Sequence, residues 1–400
     1  MNVLLISTDF PPLVGGIATY TKNIARQLAL ICRLTVVAPR FRKGSVSGEH
    51  VHEPFRVERV PDIIVLRELL IFYVCLRLVR QYREEIVIFA SAWFPSGFIA
   101  YCLWRLFRCP YYLAAHASEF LDDRHTFRRR LKYHLSFLKL PVFENAAGIF
   151  AVSHYTADLL RSQGIRSERI HVVHNGADPH LFRPREVSQD LQRHFGVADK
   201  RVLLTVCRLD PHKGVHFAIE ALSHLCREFS DLLYVVIGNG PEYNHLVRLA
   251  ASLGLRDRVR FLGQVRENEV VFWYNLCDIF VMFPHPIPDR TDLIEGFGIS
   301  FVEAAACSKP VVACRFGGVT DAVKDGETGL LIEAPPQVPD IVDAIKRLLT
   351  CEELRRELGR AGRLRVEKEL NWGYVAHQLF KTFREDMQRL QSVGSQAETQ

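Results

Sequence analysis

The feature that most constrains this chain is a series of short runs that are apolar at almost every position. "VLLIS" at 3–7, "LTVVA" at 34–38, "IVIF" at 86–89, "YYLAA" at 111–115, "IFAV" at 149–152 and "IHVVH" at 170–174 alternate with segments of helical character. A strand with one wet face alternates apolar and polar residues. A strand apolar throughout is buried on both faces, as in a parallel sheet covered by helices. After a polar connector the series restarts with "VLLTV" at 202–206, "LLYVVI" at 232–237, "VRFLG" at 259–263, "DIFVM" at 278–282, "PVVA" at 310–313 and "GLLIE" at 329–333. Two such series predict two doubly wound, Rossmann-like α/β domains, and 400 residues is more than one core ordinarily organises. The stretch "NGADPHLFRPREVSQD" marks the boundary. The expected division is a first domain over 1–180, a linker over 181–198, a second domain over 199–370, a helix over 371–392 and a frayed tail over 393–400. Ligands in such folds bind beyond the carboxyl ends of the strands, so the cleft between two such domains is the expected site.

Composition narrows the function classes. The chain is globular, with 48% apolar and 24% charged residues, and its net charge of +6 suits an anionic ligand or membrane surface. It carries no zinc-finger, RRM or KH pattern, so nucleic acid is not an expected partner. Ten scattered cysteines without a C-x-x-C pair read as buried reduced thiols of a cytoplasmic protein. "MNVLLISTDFPP" lacks the basic start and long apolar run of a signal peptide. The uncharged stretch 86–104 has 19 residues, close to a membrane span. Pro95-Ser96-Gly97 interrupts it, so strand, loop and helix are expected there instead.

Several positions could carry chemistry. Gly15 and Gly16 follow the first strand and open a helix, where free N–H groups suit an anion or a sugar hydroxyl; a glycine pair there also serves as a plain tight turn. In "CRLDPHKG", Arg208 and Lys213 lie just past a strand end. Two cations there suit a diphosphate, or simply form a solvated basic loop. His212 and His216, four apart, have the spacing of a metal pair but no third ligand nearby, so no metal is expected. His116 and Glu119 follow another strand end and are either structural or turned toward the site.

In "EGFGISFVEAAAC", Glu303 is the only charged residue from Gly296 to Cys307, and a buried carboxylate needs partners. Glu295 and Glu303 are eight residues apart, up to about 12 Å along a helix. Carboxylates that act across one glycosidic bond sit about 5–9.5 Å apart. The spacing matches better a ligand several groups long, held at both ends. At 124–141, "RHTFRRRLKYHLSFLKLP" stripes Phe127, Leu131, Leu135 and Leu138 among basic residues. That pattern fits peripheral contact with anionic lipid and equally a surface helix docked on its own domain; "LRELLIFYVCLRLVRQYREE" at 66–85 has a similar character.

Taken in order, these motifs resemble the retaining glycosyltransferases of family four, with the GT-B fold of two Rossmann-like domains facing across a cleft. Gly15-Gly16, "SHYTADLL", "HNGAD", "CRLDPHKG", "VIGNGPE", "FLGQV" and "EGFGISFVEAAACSKPVVA" all lie in register with that family. The resemblance implies that Arg208 and Lys213 hold the diphosphate of a nucleotide-sugar and that Glu303 accepts from the ribose hydroxyls. Glu295 would contact the transferred sugar, with the backbone of Phe297, Gly298 and Ile299 lining sugar and phosphate. Backbone near Gly238 and Val265 would meet the base, His116 would sit by the reacting sugar, and Gly15-Gly16 near phosphate and acceptor. No metal or other cofactor is implied. The donor would be GDP-mannose or a UDP-hexose. A hexosyl group, mannosyl or glucosyl, would pass to a glycan or lipid-linked acceptor in surface polysaccharide or glycolipid synthesis. The enzyme would be cytoplasmic, with peripheral contact at the inner face of the membrane. "HASE" departs from the commoner family pattern on the acceptor side. The long polar "FPHPIPDRTDLIEGFG" is similar to mannosyltransferases acting on phosphatidylinositol mannosides, which favours GDP-mannose. The alternatives are a nucleotide-sugar 2-epimerase on a similar fold and a catalytically silent membrane-associated binding protein.

Overall fold

The computed structural model describes every residue except 41–52, 64–65, 83–85, 118–135, 289, 291–292 and 398–400. It divides into two compact units, Met1–Asn175 with Trp372–Gln400, and Gly176–Asn371.

The first unit holds a parallel sheet of seven strands in the order β3-β2-β1-β4-β5-β6-β7. They are β1 (Asn2–Ile6), β2 (Arg33–Arg40), β3 (Arg56–Pro61), β4 (Ile86–Ala90), β5 (Tyr111–Ala115), β6 (Gly148–Ala151) and β7 (Ile170–Val172). The central strands are buried at nearly every position, as their unbroken apolar sequence demands. The helices α1 (Gly16–Leu28), α2 (Arg67–Gln81) and α3 (Phe98–Phe107) connect them. The uncharged stretch resolves into β4, a turn over Trp93–Gly97, and α3. No helix among the described residues is long and apolar enough to cross a membrane.

One strand was not expected. β3 reads "RVERVP", mixing charge with valine, and lies at the sheet edge. Charged side chains are what an edge strand uses to discourage further pairing, and they erase the apolar run that betrays a central strand.

The C-terminal helix, Trp372–Ala397, belongs to the first unit. Phe383 is fully buried, with ring centroids 5.7 Å from Phe89, 4.6 Å from Tyr112 and 5.7 Å from Phe150. Tyr112 donates to Asp386 at 2.9 Å. Buried aromatics of this size dominate packing energetics, so this helix is part of the first unit's core. Its helical backbone continues through Ala397, past residue 393 where fraying was expected.

The second unit holds a parallel sheet of six strands in the order β10-β9-β8-β11-β12-β13. They are β8 (Arg201–Val206), β9 (Leu232–Ile237), β10 (Val259–Gly263), β11 (Ile279–Met282), β12 (Val311–Cys314) and β13 (Gly329–Ile332). Each matches an expected apolar run. The stretch expected as a linker, 181–198, lies inside this unit and carries the helix Gln189–His194. Phe182 anchors it, with its ring 5.7 Å from the buried Tyr274. A polar composition hid that anchor. All ten cysteines are free thiols.

Candidate functional site

In the second sheet the strand order reverses between β8 and β11. At such a switch point the loops leave in opposite directions, opening a crevice at the carboxyl ends of the strands. Arg208 and Lys213 leave β8 there, and the segment through Glu295 leaves β11. Backbone bonds join the two loops: Phe283 N–H donates to Lys213 O at 3.2 Å, and His285 N–H to His212 O at 3.0 Å.

Side chains complete the junction. Lys213 Nζ donates to Glu295 Oε2 at 2.6 Å, and Glu295 is only 8% exposed. Burial alone would push the Glu295 carboxyl up. The Lys213 ammonium and the Phe297 backbone N–H outweigh burial and hold it below the ordinary carboxylate value. Burial likewise disfavours charge on Lys213, and Glu295 more than reverses this, so its pKa is raised. Both groups are therefore ionised at neutral pH, and Glu295 is a poor proton donor. Arg208 binds Asp210 through two N–H groups at 2.6 and 2.8 Å, with its side chain largely exposed. That bond raises its pKa further.

Glu303 lies on the helix Ile299–Ala306. Its start is set by Gly298, at φ 91°, where a Cβ would come within 2.3 Å of the Phe301 ring. A left-handed residue packed that tightly has to be glycine. Glu303 is only partly buried, and Tyr274 Oη donates to its Oε2 at 2.9 Å. Glu295 is the deeper carboxylate and carries the ion pair with Lys213. Tyr274, fully buried on the helix Glu267–Leu276, fixes the rotamer of Glu303.

Gly238 follows β9 and Val265 follows β10, so both lie at the same sheet end. Gly238 N–H donates to Gly263 O at 2.8 Å, and its φ is 132°. Phe297 is buried and Ile299 begins the Glu303 helix. The structure therefore gathers Arg208, Lys213, Gly238, Val265, Glu295, Phe297, Gly298, Ile299 and Glu303 at the carboxyl end of one sheet.

Gly15, Gly16 and His116 belong to the first unit. Gly15 caps α1, and a Cβ on either glycine would meet open space, so the backbone is approachable. His116 Nε2 lies 2.9 Å from Ser91 O, which makes it the donor, and its ring packs edge-on against Tyr20 at 4.9 Å. Glu119, residues 124–135 of the basic segment, and Asp289, Thr291 and Asp292 of the long loop lie outside the described residues.

His216 faces His285, with ring centroids 5.5 Å apart, while the buried Nδ1 of His212 has no hydrogen-bond partner among the described residues. Burial, then the nearby Lys213, lowers the His212 pKa from 6.5 to about 4, and burial, then His285, does the same for His216. The unfolded chain therefore takes up protons at these residues that the folded chain refuses. Stability should be whole above pH 6.5 and fall as pH drops toward about 4. Urea midpoints across that range test this. His212→Gln should flatten the slope, removing a pH-dependent contribution of order 3 kcal/mol.

Comparison with known proteins decides the family. The model described as Glycosyltransferase Family 4 matches residues 14–181, and that described as Glycosyl transferases group 1 matches residues 188–365. The chain belongs to the family-four glycosyltransferases. This glycosyltransferase is 29% identical over 375 residues to the GDP-mannose-dependent alpha-(1-6)-phosphatidylinositol monomannoside mannosyltransferase of Mycolicibacterium smegmatis, covering 90% of this chain and 92% of that one. It is 28% identical over 268 residues to the alpha-D-kanosaminyltransferase of Streptomyces kanamyceticus, covering 66% and 67%. Among solved structures, Anabaena HepE in complex with UDP-glucose superposes with a TM-score of 0.78 at 21% identity, covering 96% of this glycosyltransferase and 100% of that chain. The fold is GT-B.

Two features of the glycosyltransferase site had different visibility in sequence. Asp210, the partner of Arg208, was missed, although Arg-x-Asp within the turn was a signal for it. Tyr274 was missed without such a signal, since nothing in "FWYNL" links it to a carboxylate 29 positions on.

Proposed function

We propose that this glycosyltransferase moves a mannosyl group from GDP-mannose to a hydroxyl of a lipid-linked acceptor, with retention of configuration and without a metal. The observation that carries the proposal is the placing of Arg208 and the Lys213–Glu295 pair at the β8/β11 switch point. An ammonium has three N–H donors, so the bond to Glu295 leaves two for phosphate oxygens. Arg208 adds a planar fork for the same diphosphate. Together they supply the positive charge that otherwise calls for a divalent cation, and they stabilise the departing nucleoside diphosphate.

In the proposed reaction the bond from the sugar C1 to the phosphate oxygen breaks. The departing phosphate oxygen takes the proton of the acceptor hydroxyl, and the new C1–O bond forms on the same face. Glu295, held ionised, accepts from the hydroxyls of the transferred sugar. Glu303 accepts from ribose, the backbone at Phe297, Gly298 and Ile299 lines sugar and phosphate, and that near Gly238 and Val265 meets the base. His116 sits by the reacting sugar, and Gly15 and Gly16 near the phosphate and acceptor. The mannosyltransferase relative and the long polar loop before Glu295 support the choice of GDP-mannose. The lipid-linked acceptor has the same support and implies action at the inner face of a membrane.

Binding and slow hydrolysis measured across a panel of nucleotide-sugars test the proposal. GDP-mannose should bind and hydrolyse fastest, and failure of every donor to bind would refute it. Isomerisation of a UDP-sugar without acceptor would favour the epimerase instead. Within this reading Tyr274→Phe keeps the ring and removes the hydrogen bond to Glu303. Donor affinity should fall about five- to tenfold, the scale of one ordinary hydrogen bond, with turnover at saturation nearly unchanged. Titration with the nucleoside diphosphate alone reads this directly.

A further inference from the structure

The turn that carries Arg208 and Lys213 is braced from its middle by Asp210. The Asp210 N–H donates to Arg208 O at 2.8 Å, and Asp210 O accepts from the Lys213 N–H at 3.0 Å. The residue before a proline is steered away from helical backbone, and Asp210, before Pro211, is extended at φ −96° and ψ 151°. The backbone of one residue thus fixes the spacing of the two cations, and its carboxylate then holds one of them. Arg208 Nε donates to Asp210 Oδ2 at 2.6 Å and Nη2 to Oδ1 at 2.8 Å. The Asp210 side chain is 10% exposed and that of Arg208 is 69% exposed, so the carboxylate lies inside and the guanidinium outside.

A guanidinium has five N–H groups. Asp210 takes two on the edge shared by Nε and Nη2, and the others lie on Nη1 and the far side of Nη2. That outer edge is a second fork of the kind that matches phosphate. A diphosphate therefore binds there without displacing Asp210. A long exposed side chain otherwise samples many rotamers, and a rotamer already held avoids the cost of ordering it at the moment of binding. Charge opposes this, since a carboxylate near a diphosphate repels it. The pairing with Arg208 and the solvent around that exposed guanidinium weaken the repulsion. From this geometry we infer that Asp210 is a positioning residue for the transfer, holding the Arg208 fork with its outer edge toward the diphosphate. The inference rests on the reading of Arg208 as a ligand of the donor diphosphate. Asp210 acts through Arg208 and touches neither donor nor acceptor.

A double-mutant cycle in the full chain tests it, read as hydrolysis of GDP-mannose at saturating donor. Asp210→Ala should lower turnover about tenfold in the wild-type background, the scale of a misplaced charge. Where Arg208 is already alanine it should lower turnover less than about twofold, because nothing is left to position. Asp210→Asn keeps one oxygen that accepts from the guanidinium and should fall between wild type and Asp210→Ala. Urea midpoints are read alongside, and Asp210→Asn carries the cycle where Asp210→Ala does not fold. A merely structural role would lower both backgrounds alike. Equal losses in the two backgrounds, with Arg208→Ala itself costly, therefore overturn the inference alone. Wild-type turnover in Asp210→Ala also overturns it. So does tighter GDP binding with faster turnover, which would make Asp210 a competitor of the diphosphate. If Arg208→Ala costs nothing, the reading of Arg208 as a diphosphate ligand fails and the inference falls with it.

Discussion

Lys213→Ala is expected to lower turnover at saturating donor about a hundredfold or more, as removal of preorganised charge from a developing oxyanion does. It should also destabilise the second unit by about 3–5 kcal/mol, because Glu295 is left buried without its cation. The pH dependence carries a sign. The Glu295 pKa is depressed below 4.5, so its contribution is present above that pH and lost as pH falls through the folded value. The Lys213 pKa is raised above 10.5, so its contribution is present below that pH and lost above the folded value. The pair is therefore whole across neutral pH, and the variant's deficit should shrink in acid, where protonated Glu295 no longer needs a cation. Arg208→Ala supplies the contrast. Its side chain is 69% exposed, and its pairing with Asp210 is worth little to stability. It should lose turnover on a similar scale with the urea midpoint nearly unmoved. Unchanged turnover in both variants would remove the diphosphate from this site.

Gly238→Ala should be the most damaging single methyl in the second unit. The residue sits at φ 132°, where an L side chain is strained, and a Cβ would come within 1.8 Å of Cys207 O. That oxygen is backbone at the end of β8, so it cannot swing aside as a side chain would. Strain and overpacking together should cost about 2–5 kcal/mol. Relief would come by displacing the turns after β8 and β9, which hold Arg208 and the proposed base-binding backbone. Urea denaturation and nucleoside diphosphate titration should therefore both report loss. A variant with wild-type stability would show that these turns yield more readily than their backbone contacts suggest.

The parts of this molecule that were legible in sequence are those set by local pattern. Central strands such as "LLYVVI" declare themselves because both faces are buried, and the Arg208–Lys213 turn because it lies between a strand end and a helix. β3 was not legible, since an edge strand carries the charges that disguise it. The anchoring of 181–198 by Phe182 was hidden by the polar residues around it. The electrostatics of the site were the least visible. Lys213 and Glu295 are 82 residues apart, and Tyr274 and Glu303 are 29 apart. No spacing rule joins them, and only the return of β11 beside β8 makes the first pair. The apolar surroundings of Glu303 suggested a buried carboxylate, yet burial depends on what packs over a residue, and Glu303 is only partly buried.

In the proposed function the two glutamates hold one long ligand and do not work as an acid and a base on one bond. Titration of GDP-mannose against the wild type, Glu303→Ala and Glu295→Ala, with turnover measured on the same preparations, tests it most directly. Glu303→Ala should weaken donor binding about tenfold or more, as loss of hydrogen bonds to a charged group does, with turnover at saturation largely kept. Glu295→Ala should bind the donor and turn over slowly. If both variants bind GDP-mannose as the wild type does and lose only turnover, the account is contradicted and the two carboxylates act on the bond itself.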